Sequence, residues 1–288
     1  MFNKYIIMMA IGISAYAIAP AQSLSNHEIS VWGSGGLSTL KSDLNVGDSE
    51  NKAGGAFGIG YNYHINENWS LLSGLEMAFY HGESSISEFT DSYNANDGEF
   101  DFIYHTSANK YREDQKSAFL NIPIMAQFQN HAFNSTKYYI AGGFKIGIPV
   151  SKKMTVENVD FDNYGYYPEW ENPIQDDPYF MGFGSFKSQN KKGNLDLNLV
   201  YILSLETGFR WPLSDNMNLY TGIYCDYGLN DIKKNGERLI QYNTALPEDY
   251  IHNSMLNSFY TIDNNEVEIT NKVNLFAVGL KLRLSFGI

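Results

Sequence analysis

Residues 274–288, NLFAVGLKLRLSFGI, close the chain on a strict alternation. Phe276, Val278, Leu280, Leu282, Leu284, Phe286 and Ile288 are apolar, with Ala277, Gly279, Lys281, Arg283, Ser285 and Gly287 between them. A period of two marks a β-strand with one apolar face. The stretch is long for a globular protein, where about 5–6 residues is usual. It suits a strand that crosses a bilayer, which needs roughly 9–11 residues.

The same alternation recurs upstream at residues 28–38, 54–65, 69–81, 117–128, 137–150, 195–211 and 217–230. With the closing stretch this predicts eight strands. Pro123 falls inside the fourth, where it removes a ladder hydrogen bond. The links alternate in length. NEN, NHAFNST and PLSDN are short and turn-forming. Residues 39–53, 82–116, 151–194 and 231–271 are long, polar and Tyr-rich. The pattern predicts an all-β fold: an eight-stranded antiparallel up-and-down transmembrane β-barrel with short periplasmic turns and long extracellular loops.

In such a barrel the apolar face meets lipid and the polar face lines a narrow interior. The charges on that polar face are Glu76, Lys145, Glu206, Arg210, Lys281 and Arg283. Both signs are present, so the residues are expected to form an interior charge network. Glycines at 58, 60, 143, 147, 208 and 279 share the face and leave room for it. Trp69, Phe128, Tyr138, Trp211, Tyr227 and Phe286 lie near strand ends, at the depth that amphipathic rings favour.

Composition agrees. The chain has 288 residues, 18% charged and 15% aromatic, with 25 Gly. Its net charge of −12 gives no support for a nucleic-acid partner. Lys4 precedes a nearly apolar segment ending in Ala19-Pro20-Ala21, the pattern of a signal peptide over residues 1–21. Residues 22–288 are then the mature barrel domain. A single cysteine, Cys225, excludes an intrachain disulfide, and its register faces it to lipid. No later run of 18 apolar residues exists, so helical spans are not expected. These features leave a periplasmic, secreted or outer-membrane protein open.

FLNIPIMAQF (119–128), YYIAGGFKIGIPV (138–150), ETGFRWPLSDNMNLYTGIYCDYGLNDI (206–232) and the closing VGLKLRLSFGI together resemble the small outer-membrane β-barrels of Bacteroidota, the PorT-like proteins within the OmpA-type group. Leu120-Asn121-Ile122-Pro123 and Tyr227-Gly228-Leu229 match features of that group. The resemblance implies residence in the outer membrane of a Gram-negative bacterium, contact with outer-membrane lipid, and delivery by the outer-membrane assembly machinery. It leaves activity open. The chain departs from the pattern in ending on Gly287-Ile288 beyond its last aromatic residue, and in its long loops.

Catalytic signals are sparse. HExxH, paired-cysteine and dinucleotide motifs are absent, and GGAFGIG at 54–60 lies within a strand. The six histidines show no metal-ligand spacing. His81, Glu83, Ser84 and Ser85 sit near the expected rim, where an outer-membrane hydrolase would place its groups. Residues 161–173, FDNYGYYPEWENP, join aromatics to acids. The stretch reads first as a loop packed on itself by its Tyr and Trp; otherwise Tyr164, Tyr166, Tyr167 and Trp170 are the candidate loop binding surface for a glycan or protein ligand, and Asp162, Glu169 and Glu171 could attract a cation. The leading expectation is a non-enzymatic outer-membrane barrel with a plugged polar interior, no metal and no cofactor, whose loops serve structural or binding roles. A small pore, a rim enzyme and a soluble exported β-protein are the alternatives.

Overall fold

The computed structural model describes residues 26–288 apart from 158, 175–178, 189, 235 and 263–264. The expected signal peptide, residues 1–21, lies outside the described residues. The strands in chain order are β1 (His27–Leu44), β2 (Asp48–Asn51), β3 (Ala53–His64), β4 (Trp69–Asn96), β5 (Asp101–Phe133) and β6 (Thr136–Val156). There follow β7 (Val159–Tyr167), β8 (Asn172–Ile174), β9 (Gly184–Ser188), β10 (Lys191–Asn194), β11 (Val200–Ser214) and β12 (Met217–Gly228). Last come β13 (Ile240–Gln241), β14 (Ile251–His252), β15 (Phe259–Ile262), β16 (Asn265–Glu268) and β17 (Thr270–Gly287).

Thirteen strands share one sheet, and β13–β14 and β15–β16 form two separate ribbons. In the large sheet β1 pairs with β3 and β17, and β4 with β3 and β5. β6 pairs with β5 and β11, and β12 with β11 and β17. Side chains from strands far apart in this order meet. Lys145 of β6 lies 2.8 Å from Asp226 of β12, and Arg283 of β17 donates a hydrogen bond to Gln127 of β5. The sheet therefore wraps around an interior.

The outer face is the apolar one. Along β11, Tyr201, Leu203, Leu205 and Phe209 are exposed, while Ser204 and Glu206 are buried. Ile124 (61% exposed) and Leu280 (69%) show the same inversion. Water does not tolerate so continuous an apolar band, whereas hydrocarbon requires it. At the short-turn end Phe133, Phe209 and Trp211 lie within 6.0 Å of one another, ring to ring. Trp69 and Phe128 pair at 5.2 Å, and Phe128 reaches Tyr138 at 6.3 Å. The short turns are held locally: Asn66 Oδ1 accepts from the backbone N–H of Asn68 and of Trp69, both at 2.9 Å. Asn134 takes the left-handed conformation (φ 49°) that asparagine tolerates.

The expected fold, an eight-stranded up-and-down transmembrane barrel with long irregular loops, is overturned. Seventeen strands are present among the described residues, and the long connections 39–53, 82–116 and 151–194 are largely sheet, while 231–271 carries two short ribbons. β4 has 28 residues and β5 has 33, about three times what a bilayer crossing needs. Their far halves pair from His81↔Lys116 out to Asn96↔Asp101. β7 then adds to β5, and β8 and β9 add to β7. With the two ribbons these pieces build a cap at the long-connection end. In the cap the alternation changes sense: Phe102, Tyr104, Thr106 and Ala108 are buried, while Ile103, His105 and Ser107 between them are partly exposed. Strands that meet water on their outer face bury aromatics inward, so a search for outward apolar residues mistakes them for loops.

Two further readings change. Leu197, inside the strand expected at 195–211, is 2% exposed and turned inward, because β11 starts only at Val200. Pro123 causes no bulge. The β4–β5 ladder runs Ser73↔Ile124 and then Glu76↔Asn121 in constant register, so the missing N–H falls where pairing to β4 is interrupted.

Gly58 and Gly60 have a specific task. Trp32 pairs across from Gly58 in β1–β3, and a Cβ on Gly58 would sit 2.5 Å from the indole. Gly58→Val should displace Trp32 and cost about 1–3 kcal/mol, the range for overpacking. Gly33→Ala, where nothing lies within 4 Å, should change little. Urea midpoints of the detergent-folded variants test this. Equal midpoints for both would show that the indole does not depend on the glycine.

Candidate functional site

Glu76 of β4 is the hub of the interior. It projects inward because its strand alternates Trp69, Leu71 and Leu75 outward. Its Oε1 accepts from Lys145 Nζ at 2.8 Å and Asn121 Nδ2 at 3.1 Å. Its Oε2 accepts from Trp32 Nε1 at 2.9 Å. Lys145 also donates to Asp226 Oδ2 at 2.8 Å, and Ser204 Oγ donates to Asp226 Oδ1 at 2.6 Å. One ammonium thus bridges two carboxylates contributed by β4 and β12.

A second cluster adjoins it. Glu206 accepts from Lys281 Nζ at 2.7 Å and from Tyr139 Oη at 2.8 Å. Lys281 lies over the Trp32 ring at 5.1 Å, which ties the clusters together. The Arg283 guanidinium, 1% exposed, lies 4.0 Å from the centre of the Tyr220 ring. Toward the short turns, Glu28 Oε1 lies 3.2 Å from His64 Nε2 and 3.6 Å from Arg210. Four carboxylates, Glu28, Glu76, Glu206 and Asp226, thus share the interior with four cations, Lys145, Arg210, Lys281 and Arg283. Low dielectric makes any unmatched charge costly, and the formal balance removes it.

All six sequence-predicted interior charges lie here, Arg210 at the margin with a side chain 20% exposed. Sequence reasoning missed Trp32, Glu28, Asp226 and the tyrosines. Strand parity was the available signal: Asp226 shares a face with Tyr220 and Tyr224, and Trp32 with Glu28 and Ser30. One step further lies an apolar layer built from the strands, with Tyr80 and Phe119, and from the connections between them, with Leu195, Leu197, Ile232 and Leu256. It lies between the charged interior and the cap.

The cap has one buried carboxylate of its own. Glu113 is wholly buried and accepts from Ser254 Oγ at 2.5 Å, Met255 N at 2.9 Å and Gln115 Nε2 at 3.1 Å. Burial pushes its carboxyl up to about 7, against the opposing pull of those hydrogen bonds. It pins the last long connection to β5.

The other candidates separate. His81 and Ser84 project to opposite faces of β4, and Ser84 accepts from Gln115 at 3.0 Å. Glu83 is engaged by Lys52 at 2.8 Å and by Arg112 at 3.2 Å. Ser85 shares the face of His81, and among the described residues no hydrogen bond joins His81 to Ser84 or Ser85. Tyr164 stacks on His105 at 4.3 Å on one face of β7, the face it shares with Tyr166. Tyr167 points the other way, buried between Phe102 (5.0 Å) and Trp170 (4.6 Å), and donates its hydroxyl to Asp97 at 2.9 Å. Trp170 is half exposed. Asp162 accepts from Ser185 Oγ at 2.5 Å. Among the described residues no group of three or more His, Cys, Asp or Glu could hold a metal, and Cys225 is a free cysteine on the outward face.

Residues 20–234 match the model of the outer membrane protein beta-barrel domain. No curated protein matches the chain. Among solved structures, Neisserial surface protein A is 11% identical, with 92% of this chain and 98% of that chain covered and a TM-score of 0.37. The translocator domain of the autotransporter NalP from Neisseria meningitidis is 8% identical, with 99% and 94% covered and a TM-score of 0.26.

Lys145→Met should leave Glu76 and Asp226 facing each other unneutralised, at a cost of about 3–5 kcal/mol in unfolding free energy. A loss below about 1 kcal/mol would mean the bridge is not structural. Glu113 makes a separate prediction. Its folded value of about 7 exceeds the ordinary 4.5, so the folded cap binds the extra proton between these pH values. Cap stability should fall as pH rises from about 4.5 to 7, by about 3 kcal/mol, and stay level above. Hydrogen exchange at the Met255 amide should show that fall in the native protein and a flat profile in Glu113→Gln.

Proposed function

The chain belongs to the outer membrane protein β-barrel domain family, seated in the outer membrane of a Gram-negative bacterium, and on that premise we propose that it is a non-enzymatic protein with a sealed interior and a projecting cap that serves structural or binding roles. One observation carries the reading. Four acids and four bases lie inside the wrapped sheet, with Lys145, Arg210 and Lys281 in ion pairs and Arg283 against the Tyr220 ring, under an apolar layer that includes Phe119, Leu195 and Ile232. A conducting path needs water along its length, and these side chains occupy that space. Salt bridges at 2.7–2.8 Å support a rigid plug over a hydrated lumen.

The short turns face the periplasm in this reading and the cap faces outward, the usual arrangement of outer-membrane strands. Support comes from the aromatic contacts at the short-turn end and from the water-adapted alternation of the cap strands. Outer-membrane lipid is the partner of the apolar band. A glycan or protein ligand at Trp170 and the neighbouring tyrosines belongs to the proposal. So does the finer affinity to PorT-like barrels of Bacteroidota, which rests on Leu120–Pro123 and Tyr227–Leu229.

Planar-bilayer recording tests the plug. Purified protein should insert without steady conductance, and Lys145→Met with Glu76→Gln should raise the frequency of brief openings. A large, steady current from the native protein would overturn the sealed interior and favour a pore.

A further inference from the structure

At the far end of the cap four large apolar side chains from four separate segments are exposed. Phe100 closes the β4–β5 turn, Trp170 lies in the β7–β8 turn, Phe180 lies in the short segment after β8, and Leu246 follows β13. Contacts hold the segments together. Phe100 meets Trp170 at 5.5 Å, and Thr244 Oγ1 donates to the carbonyl of Asn96 at 2.9 Å. The backbone at Gly182 lies so close to the Pro247 carbonyl that an added Cβ would sit 2.4 Å from its oxygen. Beneath them Phe102, Tyr104, Tyr167, Phe183 and Tyr242 form a buried aromatic core. The exposed residues therefore stand on a packed base, which gives them fixed positions at low entropic cost.

The surroundings carry charge of one sign. Residues 92–104, 164–186 and 239–250 contain no Lys or Arg. Glu99, Asp101, Glu169, Glu171 and Glu248 are exposed around the apolar residues. The cations bordering these segments are engaged: Lys191 lies 2.6 Å from Asp249 Oδ1 and 2.7 Å from the Tyr250 carbonyl, Arg238 lies 3.2 Å from Asp91, and Lys187 lies 3.8 Å from Asp160. An anionic membrane surface would be repelled here, and an anionic glycan likewise. A cation that also carries apolar surface would be attracted twice, by the carboxylates and by the rings.

We propose that this aromatic, acidic tip docks a basic segment of another protein, with Arg or Lys side chains set against Trp170 and Phe100 and between the surrounding carboxylates. The inference rests on the reading of the cap as a binding platform and names its class of partner. Arginine suits the place because its flat guanidinium stacks on a ring while donating to carboxylates.

Fluorescence anisotropy of labelled hexapeptides on the full-length protein in zwitterionic detergent tests this. The probes are an alternating arginine–leucine peptide and its glutamate–leucine counterpart. The basic peptide should bind, weaken steeply between low and physiological salt, and lose at least tenfold in affinity with Trp170→Ala or Glu169→Lys. Tyr201→Ala, on the lipid-facing band, should leave binding unchanged. Equal binding of both peptides, binding of neither, or indifference to Trp170→Ala and Glu169→Lys would overturn the proposal. Bilayer recordings on the same preparation separate the two readings: a silent bilayer without basic-peptide binding sinks the partner class alone, whereas a steady current sinks the sealed platform beneath it.

Discussion

One ammonium group held between two carboxylates organises the inner face of this protein. The constraint behind it is the solvent outside. Lipid demands an apolar outer face, and strand geometry then sends every alternate side chain inward. Backbone hydrogen bonds are met within the sheet, so the remaining problem is charge. Lys145 meets it by joining Glu76 and Asp226, each at 2.8 Å. Trp32 can reach Glu76 because Gly58 and Gly60 leave the space its indole fills. Lys281 and Arg283 repeat the logic around Glu206 and the tyrosines. Within the two clusters each charged group meets a partner, Lys145 with Glu76 and Asp226 and Lys281 with Glu206.

The cap obeys the opposite rule along the same strands. β4 and β5 leave the apolar band and continue into water without ending. The inward side chains change from ion pairs to aromatic and aliphatic groups such as Phe89, Tyr111 and Phe161. The change of parity falls at Lys110, whose φ of 57° breaks the extended run between the pairs Ile86↔Tyr111 and Glu88↔Asn109. A single kinked hairpin thus serves two solvents. Glu113, three residues along β5 from that kink and still in the cap, spends its hydrogen bonds on Ser254 and Met255 and draws the last long connection into the same body.

This division fits the proposal of a sealed interior beneath a projecting cap. Buried ion pairs contribute little net stability but strongly resist partial removal, which favours one arrangement of the wrapped sheet. Aromatic packing gives the cap a fixed shape, unlike a set of free loops. The exposed rings at its end stand on Phe102, Tyr167 and Tyr242, so their positions derive from the sheet.

The alternation at 274–288 and its upstream repeats determined which residues share a face, where the short turns fall, and that the apolar face meets lipid. The six predicted interior charges followed from parity alone. Side-chain direction along a strand is a local property, so sequence carries it. The wrap of the sheet decided which charges meet: Lys145 and Asp226 are 81 residues apart, and only curvature brings them together. The cap was hidden for a related reason. Its strands bury aromatics and expose polar groups, so in one dimension they resemble polar loops, and only pairing across β4, β5 and β7 makes them sheet.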